Sequence, residues 1–161
     1  MNQVVQNGNV TPGHLVAWVT DGVVDDAGFT FAGINGRLVV TLPGVNFNAA
    51  NTDFPIPVNL PVGFTRYRVS SVMISGATGA LNSSTIGVFT AAAGGGVAVV
   101  ASGTGVTVSA TTPDTANNMQ VFAIVNQNLV AFNDPVLFFR VQTPQGSPAL
   151  GNVSIFYEPL P

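Results

Sequence analysis

The sequence predicts an all-β protein: a jelly-roll-like antiparallel sandwich over residues 36–161, preceded by an N-terminal extended arm and hairpin over residues 1–35. Three observations carry this reading. No window of about twelve residues combines good helix formers with a clean 3.6-residue apolar period. Short β-branched runs recur along the chain, punctuated by 18 glycines and 11 prolines, which is the pattern of many short strands joined by tight turns. Only 7% of the residues are charged, where a free-floating domain keeps about a quarter, so the surface is expected to be covered in an assembly.

Taken in order, the first ~35 residues read as a hairpin. His14–Thr20 and Val23–Asp25 flank Asp21-Gly22, a pair that accepts the positive φ of a tight two-residue turn. A lone hairpin is marginal in water, and this one carries Leu15, Val16, Trp18, Val19 and Val23, so it is expected to pack on the main domain or on another chain. Strands are then expected at Leu38–Leu42, Tyr67–Ser75, Thr85–Thr90, Val97–Ala101, Val106–Ser109, Met119–Val125, Val136–Val141 and Val153–Tyr157. Residues 54–61 place Phe54, Ile56, Val58 and Leu60 between prolines. Prolines cannot donate to a ladder, so this piece is either an edge strand or an extended arm lying on a neighbour. Val136–Val141 is apolar on both faces until Arg140 and suits a central strand covered on two sides. In Tyr67–Ile74 polar residues come first and apolar ones later, as in a strand running from an edge into a core. The glycines at 94–96 read as a flexible turn, because no Lys-Ser/Thr follows them as in a phosphate loop.

Composition also limits function. A formal charge of -3 and the lack of any basic cluster remove the footprint of a phosphate-gripping protein, so no nucleic-acid partner is expected. Every apolar run is broken well before the ~18 residues a membrane helix needs, and no membrane partner is expected. The start of the chain shows no basic region followed by an apolar core, so no signal peptide is visible and synthesis in the cytoplasm is expected. Without cysteine, stability must come from packing and association.

The run Gly13-His14-Leu15-Val16, then Thr20-Asp21-Gly22-Val23, then Asp26-Ala27-Gly28 resembles a segment recurrent in structural proteins of tailed bacteriophages. Tyr67–Val72, Gly87–Gly96 and Leu137–Ser147 are similar to a β-sandwich module of phage virion proteins; residues 36–66 carry no such likeness. The resemblance implies a non-enzymatic virion protein, commonly homotrimeric: a capsid decoration (cement) protein or a head- or tail-fibre component. The short arm and the lack of a repeated shaft favour decoration. The partners implied are the major capsid protein and further copies of this chain, at the outer capsid surface of a virion made in the host cytoplasm. A host surface glycan is the partner under the alternative, a receptor-binding fibre component.

The candidate contact residues are His14, Leu15, Val16, Trp18, Val19, Arg66 and Arg68. Trp18 reads either as an interface anchor, the role in which large aromatics are enriched, or as a lid on the sandwich. Arg66 and Arg68 share one strand face and are expected to pair with Asp53, Asp114 or Asp134, within the domain or across a subunit boundary. His14 is the only histidine, so no multi-histidine metal site exists, and its default role is a hydrogen-bonded strand or turn residue. Asp21, Asp25 and Asp26 lack the spacing of a calcium loop and read as a turn residue and two solvated acids. Asn117-Asn118, or Asn126-Gln127-Asn128 with Phe132, are the weak candidates for a sugar site. No catalytic carboxylate pair or nucleophile motif is evident, and no cofactor is expected.

Overall fold

In the computed structural model the protein is all-β, and the structure describes residues 37–125 and 131–160 together with the backbone of residues 5–6, 14–20 and 23–30. The N-terminal strands are β1 (Val5–Gln6), β2 (His14–Thr20) and β3 (Val23–Thr30). β2 and β3 pair antiparallel, with Ala17 opposite Asp25 and Trp18 opposite Val24, and β1 adds parallel to β3. This is the pairing expected of the hairpin; Asp21 and Gly22 themselves lie outside the described residues, and β3 runs five residues further than expected.

Eight strands follow: β4 (Leu38–Asn46), β5 (Thr52–Pro57), β6 (Arg66–Ser75), β7 (Thr85–Ala91), β8 (Gly95–Gly105), β9 (Gln120–Phe122), β10 (Val136–Thr143) and β11 (Leu150–Leu160). They form two four-stranded antiparallel sheets, ordered β4-β11-β6-β9 and β5-β10-β7-β8. The ladders are nested, β4 with β11, β5 with β10, β6 with β9 and β7 with β8. The chain is thus one long antiparallel ribbon bent over a single core, with β7–β8 at its tip, which is the jelly-roll winding.

The inner faces interdigitate. Val69, Val72, Ile74, Val153 and Ile155 of the first sheet and Ile56, Ile86, Val88, Leu137, Phe139 and Val141 of the second are almost wholly withdrawn from solvent. Burying side chains of this size stabilises the fold by roughly 1.5–3 kcal/mol each before entropy is subtracted. Phe139 stands at the centre, edge-on to Phe47 with ring centroids 5.7 Å apart and tilted against Phe54 at 6.5 Å. Tyr67 packs on Tyr157 at 5.6 Å and on Phe132 at 5.8 Å.

Several sequence expectations are refined by this packing. Residues 54–61 supply an edge strand: β5 pairs only with β10 in its sheet, so the missing N–H groups of Pro55 and Pro57 are tolerated on its open side. β10 is central as expected, but it is covered on one face only: Leu137, Phe139 and Val141 are buried while Val136, Phe138 and Arg140 are half-buried. In β6 the buried positions are Tyr67 and Val69, then Val72 and Ile74. Their parity changes because the register slips at Ser70-Ser71, opposite Phe156 and Tyr157. This is a β-bulge, with the Ser70 hydroxyl donating to the Phe156 carbonyl at 3.1 Å. A second slip, at Pro43-Gly44 on β4, switches inward positions from Leu38, Val40 and Leu42 to Val45. Gly44 takes φ 65° there, and its N–H donates to Asn152 Oδ1 at 3.1 Å.

Two expected strands are corrected. Residues 106–109 alternate as a strand should, with Val106 and Val108 buried, yet their backbone bonds run to a loop: Val106 N–H to Ser84 O at 3.0 Å and Leu81 N–H to Val108 O at 2.7 Å. The expected strand at 119–125 shrinks to Gln120–Phe122, because the chain then crosses to the second sheet and Val125 N–H donates to Val99 O at 2.9 Å.

Candidate interaction surface

The outer face of the β4-β11-β6-β9 sheet is assembled by register from residues far apart in sequence. Val39 lies opposite Phe156, and Phe156 opposite Ser71. In the next row Thr41 faces Ser154, Ser154 faces Met73, and Met73 faces Val121. Beyond them Asn152 faces Ser75. These rows hold no charged side chain, and Val39 at 55%, Val121 at 57% and neighbouring Met119 at 49% exposure keep apolar surface in water. Ser154, buried on this face, is satisfied by the Thr41 hydroxyl at 2.8 Å.

Within the strands of this face, charged side chains stand at one end. Arg66 lies opposite Leu160 and Arg68 opposite Glu158. Arg37 immediately precedes Leu38, the partner of Tyr157, which brings it to the level of Glu158. Three of the chain's four arginines therefore gather at one end of one sheet. The Arg68 guanidinium donates to Glu158, a pairing the sequence reading did not anticipate. Arg66 and Arg68 do share the outward face, as expected, since Tyr67 and Val69 between and beyond them point inward. A shallow cleft of about 220 Å³ opens beside the far end, lined by Ser75, Gly76, Thr111, Pro113, Asn118 and Met119.

The outer face of the second sheet carries contacts of its own. Phe89 is buried outside the main core with its ring over Gly87, so close that a Cβ there would sit 2.6 Å from it. The turn at residues 92–94 lies near that ring and near Arg140. Arg140 donates to Asp53 Oδ1 at 2.7 Å, and Asp53 Oδ2 accepts the Ala93 N–H at 2.7 Å. Asp53 thus meets Arg140, not Arg66 or Arg68. The segment read as a flexible glycine turn is a defined hairpin turn whose Ala93 holds φ 59°, with Asp53 supplying the acceptor that its amide needs.

Both tyrosines tie loops to the core. Tyr67 Oη donates to the Asp134 carbonyl and Tyr157 Oη to the Asn59 carbonyl, each at 2.9 Å. Burial raises both phenols above their ordinary value, Tyr67 further still through the nearby Asp134 charge. The aromatic proposed for a sugar platform, Phe132, is only 4% exposed: it is bridged to Tyr67 by reciprocal backbone bonds of 2.8 and 2.9 Å and offers no face to a ligand. Residues 126–130 lie outside the described residues, as do the side chains of His14, Leu15, Val16, Trp18 and Val19, whose backbone is β2. Among the described residues no group of His, Asp and Glu side chains could hold a metal ion, and no helix is long and apolar enough to cross a membrane.

The residues of the charge-free face were missed by the sequence reading apart from the arginines at its end. Leu38, Val39, Val40 and Leu42 look alike in sequence, and only the ladder to β11 says that Val39 points out. The geometry defines the class of protein as an antiparallel jelly-roll sandwich with one uncovered, uncharged sheet face. No protein-family model, curated protein or solved structure matches the chain.

Proposed function

We propose that this chain is a non-enzymatic structural protein of a tailed-bacteriophage virion, a capsid decoration protein that binds the outer surface of the head and strengthens it. The observation that carries the reading is the outer face of the β4-β11-β6-β9 sheet, where Val39, Phe156, Met73 and Val121 stand in rows without charge. An uncharged sheet face that keeps Val39, Val121 and Met119 in water supports a contact with another protein. The likeness of residues 13–28 and of the Tyr67–Val72, Gly87–Gly96 and Leu137–Ser147 segments to phage virion proteins supports the major capsid protein as the partner. A jelly roll with a preceding hairpin is a suitable plan, since two weak attachments on one chain raise avidity without one strong contact.

Binding to emptied phage heads tests the reading. Wild-type protein is expected to saturate the shells at a fixed stoichiometry, and Val121→Glu combined with Val39→Glu is expected to abolish attachment while leaving the melting temperature almost unchanged. Attachment that survives both substitutions would move the contact away from this face, and retention on immobilised host glycans without any on shells would replace decoration by the fibre reading.

A further inference from the structure

The cleft beside the far end of the first sheet is built from two segments that the fold itself holds in place. One is the end of β6. Ser75 closes the strand, Gly76 follows at φ 59°, and the Asn152 side chain packs so near that a Cβ on Gly76 would lie 2.7 Å from Asn152 Nδ2. Asn152 accepts the Gly44 amide in turn, and Thr78 is tied to Leu150 by bonds of 2.9 and 3.0 Å. The other segment is the loop from Ser109 to Met119, closed by the Asn117 carbonyl, which accepts the amides of Ser109 and Ala110 at 3.0 and 3.2 Å. Asp114 and Asn117 hold left-handed backbone in this loop, at φ 61° and 64°, a conformation that persists where the surroundings fix it. Gln120 of β9 pairs with Ile74, which brings Met119 to the level of Ser75. Of Asn117 and Asn118, the pair read in the sequence as a sugar candidate, Asn118 lines the cleft. Ser75 and Thr111 add two hydroxyls, and Pro113 and Met119 add apolar surface. None of these three polar side chains hydrogen-bonds another described residue, so their donors and acceptors are open to a ligand.

We propose that this cleft binds a single uncharged pyranose ring of a saccharide, with Pro113 and Met119 against its C–H face and Ser75, Thr111 and Asn118 hydrogen-bonding its hydroxyls. Size, charge and bonding each point to that ligand. A volume of about 220 Å³ is smaller than the roughly 300–1,000 Å³ of sites that enclose a whole drug-sized molecule, so one ring enters and the rest of the saccharide stays in water. None of the lining residues is charged. Arg68 stands seven residues from Ser75 along β6, roughly 23 Å at strand rise and well past the screening length at physiological salt. The acid closest in the loop is Asp114, next to Pro113. An anionic sugar therefore gains no cation here. An aromatic side chain of a protein partner would fill the same space but cover two hydroxyls and an amide without pairing them. A pyranose carries both an apolar face and hydroxyls that donate and accept. The site goes beyond the decoration reading and does not depend on it, since it concerns a small ligand of the free protein.

The test is a titration of the full-length protein, without shells, followed by NMR of the methionine methyl groups and the asparagine side-chain amides. The probes are the methyl glycosides of glucose, galactose, mannose and N-acetylglucosamine, with N-acetylneuraminic acid as the anionic counterpart and N-acetyltyrosinamide as the aromatic one. At least one neutral glycoside is expected to shift the Met119 methyl and the Asn118 amide together and saturably, with the millimolar affinity of a single ring on a half-open site. Thr111→Val with Asn118→Ala is expected to weaken that binding at least fivefold, while Thr111→Ser, which keeps the hydroxyl, retains it. Circular dichroism melts confirm that each variant is folded; Thr111 is exposed and Asn118 is bonded through its backbone, so the side chains can change without loss of the loop. No saturable shift with any neutral glycoside overturns the proposal, as does an affinity unchanged in Thr111→Val with Asn118→Ala. Tighter binding of N-acetylneuraminic acid, or of N-acetyltyrosinamide, also overturns it, and the latter would assign the cleft to a side chain of a protein partner. Shell binding is measured separately, so failure here and failure of the decoration reading are distinguishable.

Discussion

Arg140 and Asp53 form an ion pair of 2.7 Å on the outer face of the second sheet, with side-chain exposures of 14% and 21%. The second carboxylate oxygen of Asp53 receives the Ala93 amide, and Arg140 also reaches Asn51 Oδ1 at 3.4 Å. One carboxylate therefore connects the edge strand β5, the central strand β10 and the turn between β7 and β8. Two residues of this node, Asn51 and Ala93, adopt left-handed backbone, a conformation that costs a non-glycine residue free energy and persists only when neighbours hold it.

Replacing Asp53 by alanine removes both contacts and leaves a half-buried guanidinium and an amide without their acceptor. A loss of about 1–3 kcal/mol is expected from such a truncation, with the turn at 92–94 loosening most. The substitution Asp53→Asn keeps an acceptor for one donor and is expected to lose less. Urea unfolding gives the first quantity and amide exchange at Ala93 the second; an Ala93 amide equally protected in Asp53→Ala would show that the turn holds itself.

Gly87 is required by the ring above it. A methyl group there would lie 2.6 Å from Phe89 Cε2 and Cζ, so Gly87→Ala must displace a ring that is 4% exposed. The expected cost is about 1–3 kcal/mol, the usual range for overpacking. The same substitution is expected to cost much less in a Phe89→Leu background. A double-mutant cycle measures the difference, and an unchanged cost would place the strain elsewhere in β7.

Alkaline pH should unfold the protein through its two tyrosines. The chain has no lysine or cysteine, so above pH 9 the side chains that titrate are Tyr67 and Tyr157. Both phenols are raised above the ordinary value of 10.0 in the fold. The native state therefore keeps protons that the unfolded chain releases, and the stability this provides is complete below pH 10 and lost as pH climbs beyond it. Urea midpoints measured across that range are expected to fall with pH in the wild type and to fall less in Tyr67→Phe. At neutral pH, Tyr67→Phe is expected to cost about 1 kcal/mol by leaving the Asp134 carbonyl without its donor.

The arm should be separable from the sandwich. All eight strands of the two sheets lie within residues 38–160, so a chain lacking residues 1–33 is expected to melt cooperatively while binding shells more weakly. Trp18→Ala in the full chain is expected to cost about 2 kcal/mol of attachment, as a hot-spot aromatic does, with little change in the melt of the sandwich. A markedly lower melt with unchanged occupancy on shells would make Trp18 a lid.

How much of this was legible in the sequence depends on how local the cause is. Asp21-Gly22 favours a turn through its own backbone preference, and the strands on either side of it, β2 and β3, pair antiparallel. Pro55 and Pro57 mark an edge strand because a missing N–H is a local fact, whatever the partner. The run Val136–Val141 announces a central strand, and the count of strands and the lack of helical periodicity determine an all-β protein. The even spread of apolar residues could not reveal the two bulges, since Ser70-Ser71 and Pro43-Gly44 change which side of a strand is buried only once β11 sets the register between them.

Determined by sequence alone, then, were the β class, the strands with strong alternation, the proline edge, and a charge-poor chain whose acids crowd the arm. The tertiary structure alone decided which neighbours those residues have. Arg68 meets Glu158 across 90 positions, Asp53 meets Arg140 across 87, and Val39, Phe156, Met73 and Val121 become one surface. The physical reason is the nested ribbon of the jelly roll: its outer ladders, β4 with β11 and β5 with β10, join strands from opposite ends of the sandwich sequence, so the composition of a face is set by register and cannot be read from any one segment.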